Sequence, residues 1–248
     1  MRKILNALLK PVGLELVKHV DVRLHGLHKI DTYVYALLPD TASDYLIDIA
    51  LRSVKEAWDN SLSVSDSNLP DAKYFNIFPG EHYRLLGGVA RAIRPKFVVE
   101  IGTYTGMSSL ALLQTVPGGS LLRTFDILPW DSFQTHLNQD VFKSGRIVQH
   151  LADLSDQKSY QDHAELLNAA DFIFCDGPKD GKFEYQFMRN LTQLDPKPGR
   201  ILMLDDIRFK NMINLWTAIK SPKLDLSSFG HWSGSGLVDL SSGLKLEI

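Results

Sequence analysis

Four short strings of this chain set reactive side chains where a ligand or a metal ion could use them. In Val99-Glu-Ile-Gly-Thr-Tyr-Thr-Gly-Met-Ser108 an apolar run passes through Glu100 into Gly102 and Gly106, and Ser108 and Ser109 open the next segment. Glycines at such a junction allow a tight turn and a close backbone approach, and a helix starting there aims its first N–H groups at the same place. The dinucleotide fingerprint Gly-x-Gly-x-x-Gly is not met, because position 104 is Tyr104. An acid followed by Gly-x-x-x-Gly suits a cationic, amino-acid-bearing cofactor, and S-adenosylmethionine, with an ammonium, a sulfonium and no phosphate, is the candidate. The alternative is a plain strand-to-helix turn of any α/β domain. Asp126 follows roughly one β-α-β unit later, where a carboxylate either takes both hydroxyls of a ribose or caps a helix ahead of Pro129. Ala152-Asp153 would border an adenine, and Trp130 either covers one face of that ring or belongs to the core.

A second constellation combines Asp176-Gly-Pro-Lys179 with Asp205-Asp206. Three carboxylates brought together would repel one another unless a cation sat between them. An all-oxygen set without Cys or His suits a hard ion such as Mg²⁺. Singly, each Asp is read as a loop or cap residue; jointly they favour a metal. Lys179, a short turn from Asp176, is either a solvated lysine or a general base whose pKa is lowered by a neighbouring cation and partial desolvation.

The elements that would position these groups are legible in the hydrophobic runs. Strand-like segments at 97–102, 121–127, 146–151, 171–176 and 201–205 alternate with helical ones, which predicts a doubly wound α/β domain with a mainly parallel sheet. Each strand ends in a polar or acidic residue at the carboxyl end, where such folds bind ligands. Residues 224–240 read as two last strands around Gly234-Ser-Gly236, an antiparallel edge. Upstream, Leu46, Ile47, Ala50, Leu51, Val54 and Trp58 mark an amphipathic helix, and residues 81–93 a second helix stopped by Arg94-Pro95. Between them, residues 60–80 are polar yet carry Tyr74, Phe75, Ile77 and Phe78, which reads as a lid or pocket wall. The division expected is an N-terminal helical extension and lid over 1–78 and a catalytic domain over 79–248.

Whole-chain properties narrow the function classes. With 248 residues, 44% of them hydrophobic, the chain can bury a full core, and its formal charge of -2 without a basic run gives no source of phosphate-backbone binding, so no nucleic-acid partner is expected. The single cysteine, Cys175, sits in an apolar run as a buried structural thiol, and a cytosolic location is expected. Charges and Pro11 interrupt the N-terminal apolar stretch too early for an export signal or a transmembrane segment. Its stripe of Ile4, Leu5, Leu8 and Leu9 would meet a membrane surface, a partner subunit of a homo-oligomer, or its own domain.

Taken in order, Val99-Glu-Ile-Gly-Thr-Tyr-Thr-Gly-Met-Ser108, Thr124-Phe-Asp126, Asp176-x-x-Lys179 and Pro198-Gly-Arg-Ile-Leu-Met-Leu-Asp-Asp206 resemble the class I methyltransferases of the catechol and caffeoyl-coenzyme A O-methyltransferase group over about residues 79–206. The resemblance implies a Rossmann-like fold with a seven-stranded, mainly parallel sheet. It places the S-adenosylmethionine site on Glu100, Gly102, Thr103, Tyr104, Gly106, Ser108, Asp126, Ala152, Asp153 and Asp176, the divalent metal on Asp176, Asp205 and Asp206, and the catalytic base on Lys179. The Asn usual in the metal pair is Asp206 here, and Gly177-Pro178 replaces the aromatic wall of a catechol pocket. The expected activity is metal-dependent methylation of a small-molecule hydroxyl in a phenolic, polyketide or sugar-bearing compound. Two alternatives stay open: a metal-free methyltransferase with His82 or His231 as base, and a non-catalytic methyltransferase-like subunit.

Overall fold

Runs of Val, Ile, Leu and Phe without polar alternation suit strands covered on both faces. In a computed structural model of the protein, which describes residues 41–64, 68–180, 182–209 and 211–247, five such runs become parallel strands: β1 Phe97–Ile101, β2 Leu121–Asp126, β3 Ile147–Leu151, β4 Phe172–Cys175 and β5 Ile201–Asp205. Two more, β6 Lys223–Asp225 and β7 Ser235–Asp239, complete a seven-stranded sheet of order β3-β2-β1-β4-β5-β7-β6. β7 runs antiparallel to both β5 and β6, which gives the expected antiparallel edge. Gly236, expected in the turn, lies inside β7, where the Trp216 ring packs so close that a Cβ would come within 2.6 Å of it.

Strand order reverses between β1 and β4, whose neighbours lead away in opposite directions. The crevice outside the carboxyl ends of these two strands is where an open α/β sheet takes its ligand. Helices cross between strands: α3 Met107–Thr115 after β1, α4 Gln139–Lys143 after β2, α5 Gln157–Asp162 and α6 Ala164–Ala169 after β3, α7 Phe183–Leu191 after β4 and α8 Met212–Ala218 after β5. Val98, Val99, Phe172, Ile173, Phe174, Leu202 and Met203 are fully buried in the layer between them.

Two helices precede the sheet, α1 Asp44–Asp59 and α2 Tyr83–Ile93. Ser43 caps α1 by accepting the Leu46 N–H at 3.2 Å. Gly88 of α2 has the Ser53 carbonyl oxygen 2.2 Å from where a Cβ would stand, so its lack of a side chain lets the two helices touch. The buried face of α1 is Leu46, Ile49, Ala50, Ser53 and Ala57, while Leu51 and Trp58, expected on that face, are exposed beside Phe78, Pro79 and Phe229. Residues from 41 onward, including those assigned by sequence to an extension, pack in the same compact unit as the sheet. Among the described residues no helix is long and apolar enough to cross a membrane. The stripe at Ile4, Leu5, Leu8 and Leu9, and any oligomer contact it makes, lie outside the described residues.

The loop expected to serve as a lid is pinned to the helices. Asn76 exchanges two hydrogen bonds with the backbone of Leu62 (2.7 and 2.6 Å), and Gln114 of α3 does the same for Ser63 (2.8 and 2.7 Å). Arg84 donates to the carbonyls of Ala57, Trp58 and Asn60, and Phe75 is fully buried. In this arrangement the described residues among 60–80 contribute no wall to the cleft described next.

Candidate active site

The turn after β1 is shaped by close contacts that exclude a side chain. Gly102 has φ +97°, and a Cβ there would lie 2.3 Å from the carbonyl oxygen of Asp176; Gly106, at φ +79° before α3, would drive one to 2.3 Å from Leu137. Tyr104 between them takes φ 41°, and its N–H donates to Asp126 Oδ2 at 2.9 Å. The other Asp126 oxygen accepts from Leu128 N–H at 3.1 Å. The turn thus presses against the end of β2 on one side and the end of β4 on the other.

These elements bound a cleft of about 850 Å³. Of the residues expected around a cofactor, Gly102, Thr103, Tyr104, Ser108, Asp126, Ala152, Asp153 and Asp176 line it. Asp153 accepts from the N–H and hydroxyl of Ser155 (2.9 and 2.6 Å), which fixes the loop after β3. Glu100 is turned away: it is fully buried, one carboxylate oxygen accepts from Ser109, and the other has no hydrogen-bond partner. Burial pushes its pKa up to about 7 despite the hydroxyls of Ser109, Thr124 and Ser108. Gly106 shapes the turn without lining the cleft, and the half-buried Trp130 packs on Phe142 at 4.9 Å between ring centroids, against the edge of the core. The aromatic wall comes instead from Phe133, 5.0 Å from the Tyr104 ring, with Tyr83 and Phe183 farther round. No spacing in the sequence marks these three, because they sit in loops or at helix starts.

The second constellation assembles as expected and gains members. One carboxylate oxygen from each of Asp176, Asp205 and Asp206 lies within 4.8 Å of the others. Lys179 Nζ is ion-paired with Asp176 and lies 3.0 Å from Asp206 Oδ2. Lys179 and Asp206 are non-glycine residues held at φ 56° and 59°, a left-handed conformation that costs energy and that the surrounding contacts must impose. His82 Nδ1 stands 3.1 Å and His231 Nδ1 3.3 Å from Asp205 Oδ2, and His231 Nδ1 is also 3.1 Å from Asp206 Oδ1. The two histidines, 149 positions apart in the chain, are brought together by Gly80, which donates to the Gly230 carbonyl (3.0 Å) and accepts from Trp232 N–H (3.1 Å). By their place in the sequence the two histidines offer themselves only as alternative bases.

The charges in this cluster lean on one another. Burial alone would raise the Asp205 pKa, but His82 and His231 hold it well below the usual carboxylate range, and Asp206 is lowered in the same way by His231 and Lys179. Burial would lower His231, yet its bonds to Asp205 and Asp206 raise it to about 10. Lys179 differs from expectation: burial lowers its pKa, and the carboxylates of Asp176, Asp205 and Asp206 outweigh that and raise it. Cys175, buried in β4, has its thiol pKa pushed up by burial, as a structural thiol should.

Residues 99–207 match the family described as "Methyltransferase domain". "Catechol O-methyltransferase domain-containing protein 1" of Mus musculus is 31% identical over 127 residues, covering 49% of this chain and 46% of that protein, so the match spans about half of the relative's length. Among solved structures, a methyltransferase from Geobacter sulfurreducens aligns over 92% of this chain and 98% of its own at 17% identity, with a TM-score of 0.45. An SAH-bound methyltransferase from Podospora anserina aligns over 95% of this chain and all (100%) of its own at 14% identity and a TM-score of 0.41. The family match, residues 99–207, spans less than half of the chain and takes in the strands whose carboxyl ends carry both constellations, so that stretch is similar to a methyltransferase domain and, in the murine relative, to a catechol O-methyltransferase domain.

Proposed function

We propose that the protein is an S-adenosylmethionine- and divalent-metal-dependent O-methyltransferase acting on a hydroxyl of a phenolic, polyketide or sugar-bearing small molecule. The observation that carries this reading is the position of Asp176, which lines the cleft beside Gly102 and is also one of the three clustered carboxylates. A cofactor in the cleft and an ion among the carboxylates would therefore be neighbours. Asp126 and the backbone of the Gly102–Gly106 turn would hold the nucleoside end, Tyr104 and Phe133 offer ring faces, and Ser108 opens α3 toward the same space.

Asp176, Asp205 and Asp206 fit a divalent ion: their oxygens converge, and buried His82 leaves both ring nitrogens without a hydrogen bond at the edge of the group. When bound, S-adenosylmethionine supplies the methyl group and the ion supplies the charge that acidifies a hydroxyl. The chain's own part is positional. Asp176 and Asp206 fix the Lys179 ammonium beside the cleft, and Glu184 holds the Lys179 backbone by accepting its N–H at 2.6 Å. For Lys179 to accept the hydroxyl proton, the carboxylates that now favour its charged form must be shared with another cation. Gly177-Pro178 brings no ring of its own into the cleft, but Phe183, packed on Gly177, and Tyr83 supply aromatic faces beside it, which accommodates a phenolic as well as a non-planar acceptor.

The test is a panel of catechols, flavonoids, polyketides and glycosides assayed for cofactor turnover with and without chelator. Metal-dependent turnover of one class is the expected result. Full turnover in metal-free protein would move the assignment to a base at His82 or His231, and cofactor binding without turnover of any acceptor would leave a non-catalytic subunit.

A further inference from the structure

His82 is the least satisfied polar side chain near the carboxylates. It is 4% exposed, and neither ring nitrogen makes a hydrogen bond. Its Nδ1 is 3.1 Å from Asp205 Oδ2 and its Nε2 4.0 Å from Asp176 Oδ2, but the ring N–H directions miss both oxygens. A charge-balanced network of two imidazolium rings and a lysine on three aspartates would align those donors, because charge-assisted hydrogen bonds are the strong ones and an unpaired buried donor is costly. The ring is instead held by packing: the Tyr83 and Phe174 rings lie tilted against it, 4.1 and 5.5 Å away between centroids. Packing orients it toward Asp205 without bonding it there.

The distances match a different arrangement. Ligand atoms bound at about 2.0–2.2 Å and at right angles to one another stand about 3 Å apart. His82 Nδ1 and His231 Nδ1 lie 3.1 and 3.3 Å from the same Asp205 Oδ2. On the His231 ring Glu81 Oε2 lies 3.5 Å from the far nitrogen, Nε2, while Nδ1 carries a proton shared with Ser233 Oγ at 2.7 Å and Asp206 Oδ1 at 3.1 Å, which an ion bound at Nδ1 would displace. A carboxylate on the far nitrogen is the partner a ligating histidine usually has. Ser235 donates to the other Asp205 oxygen at 3.1 Å, which leaves Oδ2 toward the two rings.

We propose that His82 Nδ1, His231 Nδ1 and Asp205 Oδ2 form a mixed nitrogen–oxygen site for a divalent transition-metal ion of the Mn²⁺, Fe²⁺, Co²⁺ or Zn²⁺ kind, next to the all-oxygen group and sharing Asp205 with it. Imidazole donors favour these ions over Mg²⁺, which prefers oxygen and gives up water reluctantly. The proposal rests on the metal-dependent reading of this cluster and changes which ion it selects and which residues hold it.

The test uses the full chain stripped with chelator, loaded with MnCl₂ and examined by pulsed electron paramagnetic resonance for nitrogen coupling to the ion, with calorimetric titrations of MnCl₂, ZnCl₂ and MgCl₂ in parallel. Expected are imidazole nitrogen coupling in the unmutated protein and tighter binding of Mn²⁺ and Zn²⁺ than of Mg²⁺. His231→Ala should weaken Zn²⁺ about tenfold or more, since even residues that merely support a ligand cost that much, and His82→Gln should do the same. The spectrum needs no variant, so misfolding of either one leaves the question decidable. Mn²⁺ binding without nitrogen coupling, abolished by Asp176→Ala, would overturn this site while keeping the oxygen-only metal of the proposed function. Binding of none of the ions would overturn both.

Discussion

Lys179 and Asp205 serve the same cluster through different contacts, so their substitutions should fail differently. Asp205 is buried against His82 and His231 and does not line the cleft. Asp205→Asn should therefore lose metal binding and turnover while calorimetry finds S-adenosylhomocysteine affinity little changed. Lys179→Ala should keep both ligands and lose turnover by roughly 10²–10⁴-fold, the scale of a positioned general base; steady-state rates at saturating cofactor and metal decide this, and undiminished turnover would remove Lys179 from the chemistry. Glu100 gives a prediction about stability. Its folded pKa, about 7, lies above that of an unfolded glutamate. Between those values the folded chain binds the extra proton, so this residue's effect is a loss of stability as pH rises, complete above the folded pKa. Glu100→Gln stays neutral and should gain on the natural protein by up to about 3 kcal/mol between about pH 5 and about pH 8. Urea unfolding at the two pH values measures it, and parallel stability profiles would show that the carboxylate is not the cause.

Gly102 joins the turn after β1 to the end of β4, since the Asp176 carbonyl occupies the space a Cβ would need. Gly102→Ala should both strain a backbone at φ +97° and push Asp176 outward, at a cost of about 1–3 kcal/mol and with loss of cofactor and metal binding together. Gly118→Ala, in open space, is the control and should change neither. Thermal unfolding and calorimetry on the pair are the measurement; an unimpaired Gly102→Ala would dissociate the turn from the metal cluster. Much of this architecture is legible in the amino-acid sequence: the five parallel strands begin and end within a residue or two of their hydrophobic runs, because a strand buried on both faces must be apolar throughout. The same property hides parity. With no polar alternation in β1, nothing in the sequence says that Glu100 points inward to Ser109 and away from the cleft. On α1, residues 46, 49, 50 and 57 and residues 47, 51 and 58 form adjacent apolar stripes, and only the neighbour α2 decides which is buried. His82 and His231 meet through a backbone bridge at Gly80, a long-range contact with no local signature.

At the scale of the whole chain, the cleft takes residues from the carboxyl ends of β1, β2, β3 and β4, and the carboxylate cluster adds the end of β5. Neither group of residues exists as a surface in the unfolded chain. A ligand of the cleft therefore binds the folded form alone and should stabilise the unit as a whole. S-adenosylhomocysteine at a hundred times its dissociation constant adds about 2.7 kcal/mol, which for a chain of this size raises the unfolding midpoint by roughly 5–10 °C. NAD at the same concentration should give no comparable shift, because Tyr104 stands where the dinucleotide fingerprint needs a glycine and its backbone is already bonded to Asp126. Asp126→Ala removes that bond together with the proposed ribose contact, and should reduce the S-adenosylhomocysteine shift while leaving the ligand-free midpoint nearly where it was, since Asp126 sits at the rim of the sheet and not in its core. Thermal scans of both proteins with each ligand measure all of this. Equal shifts from NAD and S-adenosylhomocysteine would mean that the cleft reads only the adenosine they share, and an undiminished S-adenosylhomocysteine shift in Asp126→Ala would remove the ribose contact from the site.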